Sequence, residues 1–520
     1  MIPAPEGRSG RSDCGNALQI KGPAVSSNEK STVNRRKFLI SGVATGAALG
    51  LGSSTAAEAA APQHAIQPQP AAQPPARPNI VLYMSDQFRW DFLGANGLNG
   101  STRTPNLDSL AAKGKNFTYT VTNQPVCAPA RSVMLTGLYA TETPVWHNGI
   151  GMNQSLPTLA SELHKAGYST NQIGKWHLAP NTEAAGGGVG FVKPEWRGGF
   201  MDLFEGSNAL EHTTHPYEGT IYDNDGNEIT YKDQYRVDFI TGRAERFLRQ
   251  KHDRPFFLFI SQLEPHQQND WDNRIIGPKG SAERFQNSYV PPDLRNLPGN
   301  WQQELPDYYG ACEAIDSSVG RVRKILEEEN LAGNTIFVFL SDHGCHFMTR
   351  NQEYKRSVHN ASSRIPLLME GPGCAGAQQI AQMVGIIDIA PTLLEAAGVA
   401  VPSTMKGTSV LPLLHDEKAR AEWPNQHLIQ ISESMTGRAI RTREWTYCVA
   451  DITGETNQPA ARIYQEYQMY DQRNDPYEQT NLAGRKEFRK QADELQAKLK
   501  QLIVASGEPE PQIRPAKLYP

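Results

Sequence analysis

The chain has 520 residues, with 51 Lys+Arg against 55 Asp+Glu and a formal net charge of −4. That balance, without a basic stripe interleaved with aromatics, gives no footprint for a nucleic-acid partner. The length suits a large domain with a smaller appendage and exceeds what one small core needs.

The N-terminus stands apart from the globular part. Paired Arg35 and Arg36 precede Phe38 and Leu39, a small-residue apolar stretch runs to Leu51, and Ala-rich cleavage candidates lie between Ala57 and Ala61. This is the layout of a twin-arginine export signal over residues 1–61, which makes the Tat translocase a partner and the destination periplasmic or secreted. Its apolar stretch of about 14 residues falls short of the ~20 that span a bilayer, so no stable membrane insertion is expected. The Pro/Ala/Gln-rich residues 62–77 read as an extended tether. Of six cysteines, Cys14 sits in the leader, and Cys127, Cys312, Cys345, Cys374 and Cys448 remain. An odd count in an exported chain invites one special cysteine, and the spacing leaves any pairing of the other four open.

Beyond the tether, apolar runs alternate with helical stretches, the pattern of an α/β domain with a largely parallel, doubly covered sheet. The first run, Asn79–Ser85 (NIVLYMS), ends in Asp86-Gln87. A helix follows with Thr104 as N-cap, Pro105 at its first position, Leu107 and Leu110 on one face and Gly114 as stop. Next comes PVCAPARSVMLTG, where the spacing predicts a helix starting just after Cys127 and ending near Gly137. A thiol at a helix N-terminus faces free N–H groups and the positive end of the dipole, and Arg131, one turn on, points back to the same spot. Ser155, Pro157, Leu159, Leu163 and Gly167 predict a second packing helix, with His164 exposed. The pair His212/His215 lacks carboxylate or thiol partners and reads as loop, as does His147.

Two further runs behave like the first. Pro255–Ser261 (PFFLFIS) leads to His266, and Thr335–Ser341 (TIFVFLS) leads to Asp342-His343. Ligands of open α/β sheets gather beyond the carboxyl ends of strands. Asp86, Gln87, Asp342 and His343 would bring there mainly the oxygen donors that a hard divalent cation prefers. His346, Arg350, Asn351 and His359, clustered after the last strand, read either as contacts to a substrate or as a mutually hydrogen-bonded group, the first slightly preferred.

Cys127-Ala128-Pro129-Ala130-Arg131 followed by Leu135-Thr136-Gly137 resembles the signature of the type I, formylglycine-dependent sulfatases of the alkaline phosphatase superfamily. RPNIVLYMSDQ, GKWHL (Gly174–Leu178), FLSDHG, the segment carrying Lys355, and MYDQRNDPYEQTNLAG (Met469–Gly484) are similar to further markers of that family. The resemblance implies a large mixed, mostly parallel sheet sandwiched by helices over residues 78–420. It also implies a smaller C-terminal antiparallel-sheet subdomain over 421–520 with a terminal helix from EFRKQADELQAKLKQLI.

It implies, too, that Cys127 is oxidised to formylglycine by a maturation enzyme, and that Asp86, Gln87, Asp342 and His343 hold a divalent metal, calcium ahead of magnesium or manganese. Arg131, Lys175, His177, His266 and Lys355 become the catalytic set around Cys127, with Lys175, His266 and Lys355 also binding substrate, a sulfated carbohydrate or related sulfate ester. Many family members carry a second Asp in place of Gln87 and Asn in place of His343. The combination found here also occurs in relatives that cleave phosphonate monoesters or phosphodiesters, which is one alternative; a catalytically silent protein that binds sulfate esters is another.

Overall fold

The computed structural model describes residues 77–520. The export signal expected over residues 1–61, with Cys14, and nearly all of the tether expected over 62–77 lie outside the described residues.

Five parallel strands form the middle of a ten-stranded sheet: β1 (Asn79–Ser85), β2 (Ser169–Lys175), β3 (Leu203–Ser207), β4 (Phe256–Ser261) and β5 (Thr335–Ser341). Their spatial order is β5-β1-β4-β2-β3. Leu367–Glu370 adds antiparallel to β5, and Glu218–Tyr222 adds antiparallel to β3. The sheet is therefore mixed, with its parallel part at the centre.

The three runs read as strands are buried on both faces, which is why they lack polar alternation. Ile80, Leu82 and Met84 of β1 enter one core with Phe257, Phe259, Ile336, Val338 and Leu340. Val81 and Tyr83 enter the opposite core with Phe256, Leu258, Ile260, Phe337 and Phe339. Helices cover each side. α1 (Pro105–Lys113) packs Leu107 and Leu110 into the second core, while α2 (Cys127–Thr136) and α3 (Leu159–Lys165) pack into the first.

Local expectations hold with adjustments. Gly137 ends α2 in the left-handed conformation, φ 63°. α3 starts later than Ser155 suggested: Thr158 caps it, in a reciprocal box with Ser161, whereas Ser155 bonds Asn153. Among the described residues no helix is long and apolar enough to cross a membrane, and the five described cysteines are all free and buried.

A second sheet follows: Gln426–Ile431, Gly437–Thr442, Trp445–Asp451 and Ile463–Asp471 run antiparallel, and Gln512–Arg514 joins in parallel at the edge. The helix Arg489–Ala505 lays Leu495, Leu499 and Ile503 against the apolar cluster that also holds Leu428, Ile440 and Tyr447.

The parallel register brings the strand ends level. Ser85 pairs with Ser341 and Met84 with Ser261, so Asp86 and Asp342, each next in its chain, emerge side by side. Gly174, at φ +104°, lets β2 reach the same rim: a Cβ there would lie 2.1 Å from the Ser261 carbonyl oxygen. Gly174→Ala should therefore lower stability by about 3 kcal/mol or prevent folding. Gly242→Ala, in the helix Arg236–Leu248 with nothing near its Cβ, should raise stability by about 0.5–1 kcal/mol. Thermal unfolding followed by circular dichroism checks both.

Candidate active site

At the carboxyl ends of the strands, two of the candidate site residues sit on strained backbone. Gln87 and His177 are non-glycine residues at φ 71° and 63°, a conformation that costs about 1–3 kcal/mol and persists where surrounding contacts enforce it. For Gln87, the enforcing contacts are its N–H donating to Asp342 Oδ1 at 3.1 Å and its carbonyl accepting from Tyr308 Oη at 2.7 Å.

Asp86, Cys127, Asp342 and His343 are all buried, with one ligand atom from each lying within 4.8 Å of the others. Cys127 Sγ stands 3.3 Å from His343 Nε2, 3.7 Å from Asp86 Oδ1 and 3.0 Å from Lys355 Nζ. Lys355 Nζ is in turn 2.7 Å from His266 Nε2. Lys175 Nζ sits 2.8 Å from Asp86 Oδ2. Arg131 bridges the two aspartates, Nη2 to Asp86 at 3.2 Å and Nε to Asp342 at 3.3 Å, and donates to Ser261 Oγ at 2.6 Å. The structure thus gathers into one buried cluster the four candidate metal ligands together with Cys127, Arg131, Lys175, His177, His266 and Lys355.

The electrostatics follow from charges packed without water. Burial alone would push the Cys127 thiol up, but Lys175, Lys355, His343 and His177 outweigh it and hold the thiol well below its ordinary range. Burial, and then the neighbouring Asp86 charge, push Asp342 up to about 6. Asp86 is held down instead: burial and Cys127 oppose its charge, but Lys175, His266 and Lys355 prevail. Burial and Lys355 hold His266 below the ordinary imidazole value, hence neutral. Its Nδ1 contacts the Gln267 carbonyl at 2.6 Å, so Nδ1 carries the proton and Nε2 accepts from Lys355.

The donors suit a divalent cation. Gln87 Oε1 is buried with no hydrogen-bond partner, while its amide Nε2 is fixed by Gln267 Oε1 at 2.9 Å. Asp342 Oδ2 makes no hydrogen bond and has the Arg131 Nε at 3.3 Å as its charged neighbour. The unpartnered Gln87 oxygen, the two carboxylates and the His343 imidazole form a mixed, oxygen-rich set that a hard or borderline cation satisfies.

Four contributors were not legible in the sequence. Glu211 places its carboxylate 3.1 Å from Lys175 Nζ, and burial notwithstanding, Lys175 holds it down to about 2. The signal that could have found it is the short strand LFEGS (Leu203–Ser207), a fourth run delivering a carboxylate to the same rim. Ser261 and Gln267 orient Arg131 and Gln87. Asn148 Oδ1 accepts the Ala128 N–H at 3.0 Å. That corrects the picture of a helix end with free donors: Pro129 has none, and Ala130 N–H bonds the Val126 carbonyl. The positive end of the helix dipole is what remains there.

The cluster after β5 is scaffold. His346 Nε2 and Asn351 Nδ2 both bond the Lys355 carbonyl, at 2.9 and 3.1 Å, Arg350 donates to the Tyr477 carbonyl, and His359 is buried between Ser357 and Tyr470. These residues hold the loop that presents Lys355.

The chain matches the family model described as Sulfatase over residues 78–399, and that described as N-sulphoglucosamine sulphohydrolase, C-terminal, over residues 352–505. It is 31% identical to an ulvan-active sulfatase of Formosa agariphila, over 84% of this chain and 82% of that one. Its fold is similar to a solved structure in complex with its substrate D-glucosamine-2-N,6-O-disulfate, with a TM-score of 0.67 and 23% identity over 84% of this chain and 99% of that one. It is also similar to the phosphonate monoester hydrolase of Agrobacterium radiobacter, with a TM-score of 0.59 and 21% identity over 83% and 96%.

Two outcomes are expected. A divalent cation at about 100 times its Kd, with calcium, magnesium and manganese tried in turn, should stabilise the protein by about 2.7 kcal/mol, read as a rise in the melting temperature, and Asp342→Asn should remove most of that rise. Glu211→Gln, which leaves Lys175 with one carboxylate in place of two, should lower kcat about 10- to 100-fold with an unchanged far-ultraviolet spectrum, as measured by sulfate release.

Proposed function

Because the chain belongs to the sulfatase family and is a sulfuric ester hydrolase, we propose that it removes sulfate from a sulfated carbohydrate, using a formylglycine made from Cys127 and a divalent cation. The observation that carries this reading is the position of Cys127: its Sγ is within 4 Å of Asp86, His343 and Lys355, so an oxygen replacing that sulfur would stand among the groups that bind and activate an anion. A formylglycine supplies, as its hydrate, an oxygen nucleophile, and a cation, calcium foremost, supplies polarisation of a sulfate oxygen. Asp86, Gln87, Asp342 and His343 would hold the cation.

The chain's own residues do the rest. Lys175 and Arg131, locked by Glu211, Asp86, Asp342 and Ser261, offer fixed positive charge to the sulfate oxygens; such preorganised donors are worth about 3 kcal/mol each. A sugar alkoxide is a poor leaving group and needs a proton. Lys355, whose ammonium donates to the neutral His266 Nε2, is the proton source, and His266 can relay that proton, a contribution of roughly 10²- to 10⁴-fold. His177, whose Nδ1 has no hydrogen-bond partner, is the base that withdraws a proton as sulfate is expelled. Export by the twin-arginine route would deliver the folded, matured enzyme to polysaccharides outside the cytoplasm.

The decisive experiment is mass spectrometry of the Cys127 peptide from the native host, together with anion analysis of reactions with ulvan, carrageenan and heparin oligosaccharides and with a phosphonate monoester. An aldehyde in place of the thiol and free sulfate as product are expected, and Cys127→Ala should abolish turnover by at least about 10³-fold while the fold persists. An unmodified thiol without turnover would favour a silent binding protein, and phosphonate cleavage without sulfate release would favour the sister chemistry.

A further inference from the structure

The loop that leaves the buried cluster at His266 carries an exposed aromatic side chain. The segment after His266 closes on itself: Gln268 and Arg274 form an antiparallel bridge, and the Trp271 N–H bonds the Gln268 carbonyl. Trp271 sits at the apex, 52% exposed, and Asp272 and Asn273 turn the chain back at φ 54° and 48°. The base of the loop is fixed at three points, each tied to the active site. Gln267 Oε1 accepts from Gln87 at 2.9 Å. Gln268 Nε2 donates to the carbonyls of Glu211 and Thr214, at 2.5 and 2.9 Å. Tyr354 Oη, beside Lys355, donates to the Asn273 carbonyl at 2.8 Å.

A second loop meets the apex. His215 lies edge-on to the indole, with ring centroids 5.7 Å apart and planes at 72°, and its Nε2 is 3.2 Å from Asp270 Oδ2. The Gln268 amide also donates to Asp270 Oδ1 at 2.7 Å. The indole face, the imidazole and the acid are thus held by a network while remaining open to solvent. An exposed indole held next to an imidazole and a carboxylate offers an apolar face and polar partners together, which suits a ligand with one apolar face and many hydroxyls.

The geometry points to a subsite in which Trp271 stacks against a sugar ring neighbouring the sulfated one, with Asp270 and His215 bonding its hydroxyls. This inference rests on the carbohydrate reading above. Asp270, held by the Gln268 amide and facing His215, is placed to accept from hydroxyls of that ring, so the subsite favours a substrate longer than one sugar.

The test compares wild type with Trp271→Ala, Trp271→Phe and Asp270→Ala on para-nitrophenyl sulfate, which has no neighbouring sugar, and on whichever of the ulvan, carrageenan and heparin oligosaccharides the wild type desulfates. Trp271→Ala is expected to raise KM for the oligosaccharide about tenfold more than for the aryl sulfate. Trp271→Phe should recover most of that loss and Asp270→Ala should show part of it, with circular dichroism spectra unchanged. Equal effects on both substrates, or a change in oligomeric state without the KM difference, overturn the subsite while sparing the carbohydrate reading. A wild type that cleaves the aryl sulfate and no oligosaccharide overturns both.

Discussion

Everything at this site depends on two carboxylates that the fold forces together. Asp86 and Asp342 leave adjacent parallel strands at the same level, fully buried, with Arg131 between them. Two like charges in such a place are unfavourable unless positive charge surrounds them. Arg131, Lys175 and Lys355 supply part of it, and the unpartnered oxygen of Gln87 adds a donor that suits a cation. The same positive groups hold the Cys127 thiol well below its ordinary range. The pairing of the two carboxylates and the low range of the Cys127 thiol are thus consequences of one arrangement of charges.

The second sheet is part of that arrangement. Arg441 is fully buried and donates to Glu478 at 3.0 Å and to Gln472 at 2.8 Å, and Asn360 donates to Gln472 at 2.7 Å and to the Pro476 carbonyl at 2.8 Å. Asn360 lies five residues beyond Lys355, and His359 is bonded to Tyr470. Gln472, Pro476 and Glu478 belong to the turn-rich MYDQRNDPYEQTNLAG segment, so its role here is to fix the loop that carries Lys355. A buried polar network of this kind is stabilising only when nearly every member is satisfied, which makes it a rigid brace.

Sequence reasoning went far where chemistry follows directly from position in the chain. The strands over 79–85 and 335–341 begin and end where their apolar runs do, and α2 begins at Cys127 and stops at Gly137. Reasoning fell short wherever the partner was remote. Glu211 had no motif around it, yet its carboxylate holds Lys175, 36 residues earlier in the chain. Asn148 takes the helix N–H that looked free. His346 and Asn351 looked like substrate contacts because polar residues after a strand often are, and they proved to bond one backbone carbonyl.

By itself the sequence determined on which strand ends and helix start the candidate side chains sit, because backbone periodicity, caps and motif spacing are local properties written in consecutive residues. Only the tertiary structure decided which charges face one another, which donors are already occupied, and which oxygens are left without partners. Those depend on contacts between residues far apart in the chain, 255 positions in the case of Gln87 and Asp342, and the strength of every such contact is set by a burial that no local pattern encodes.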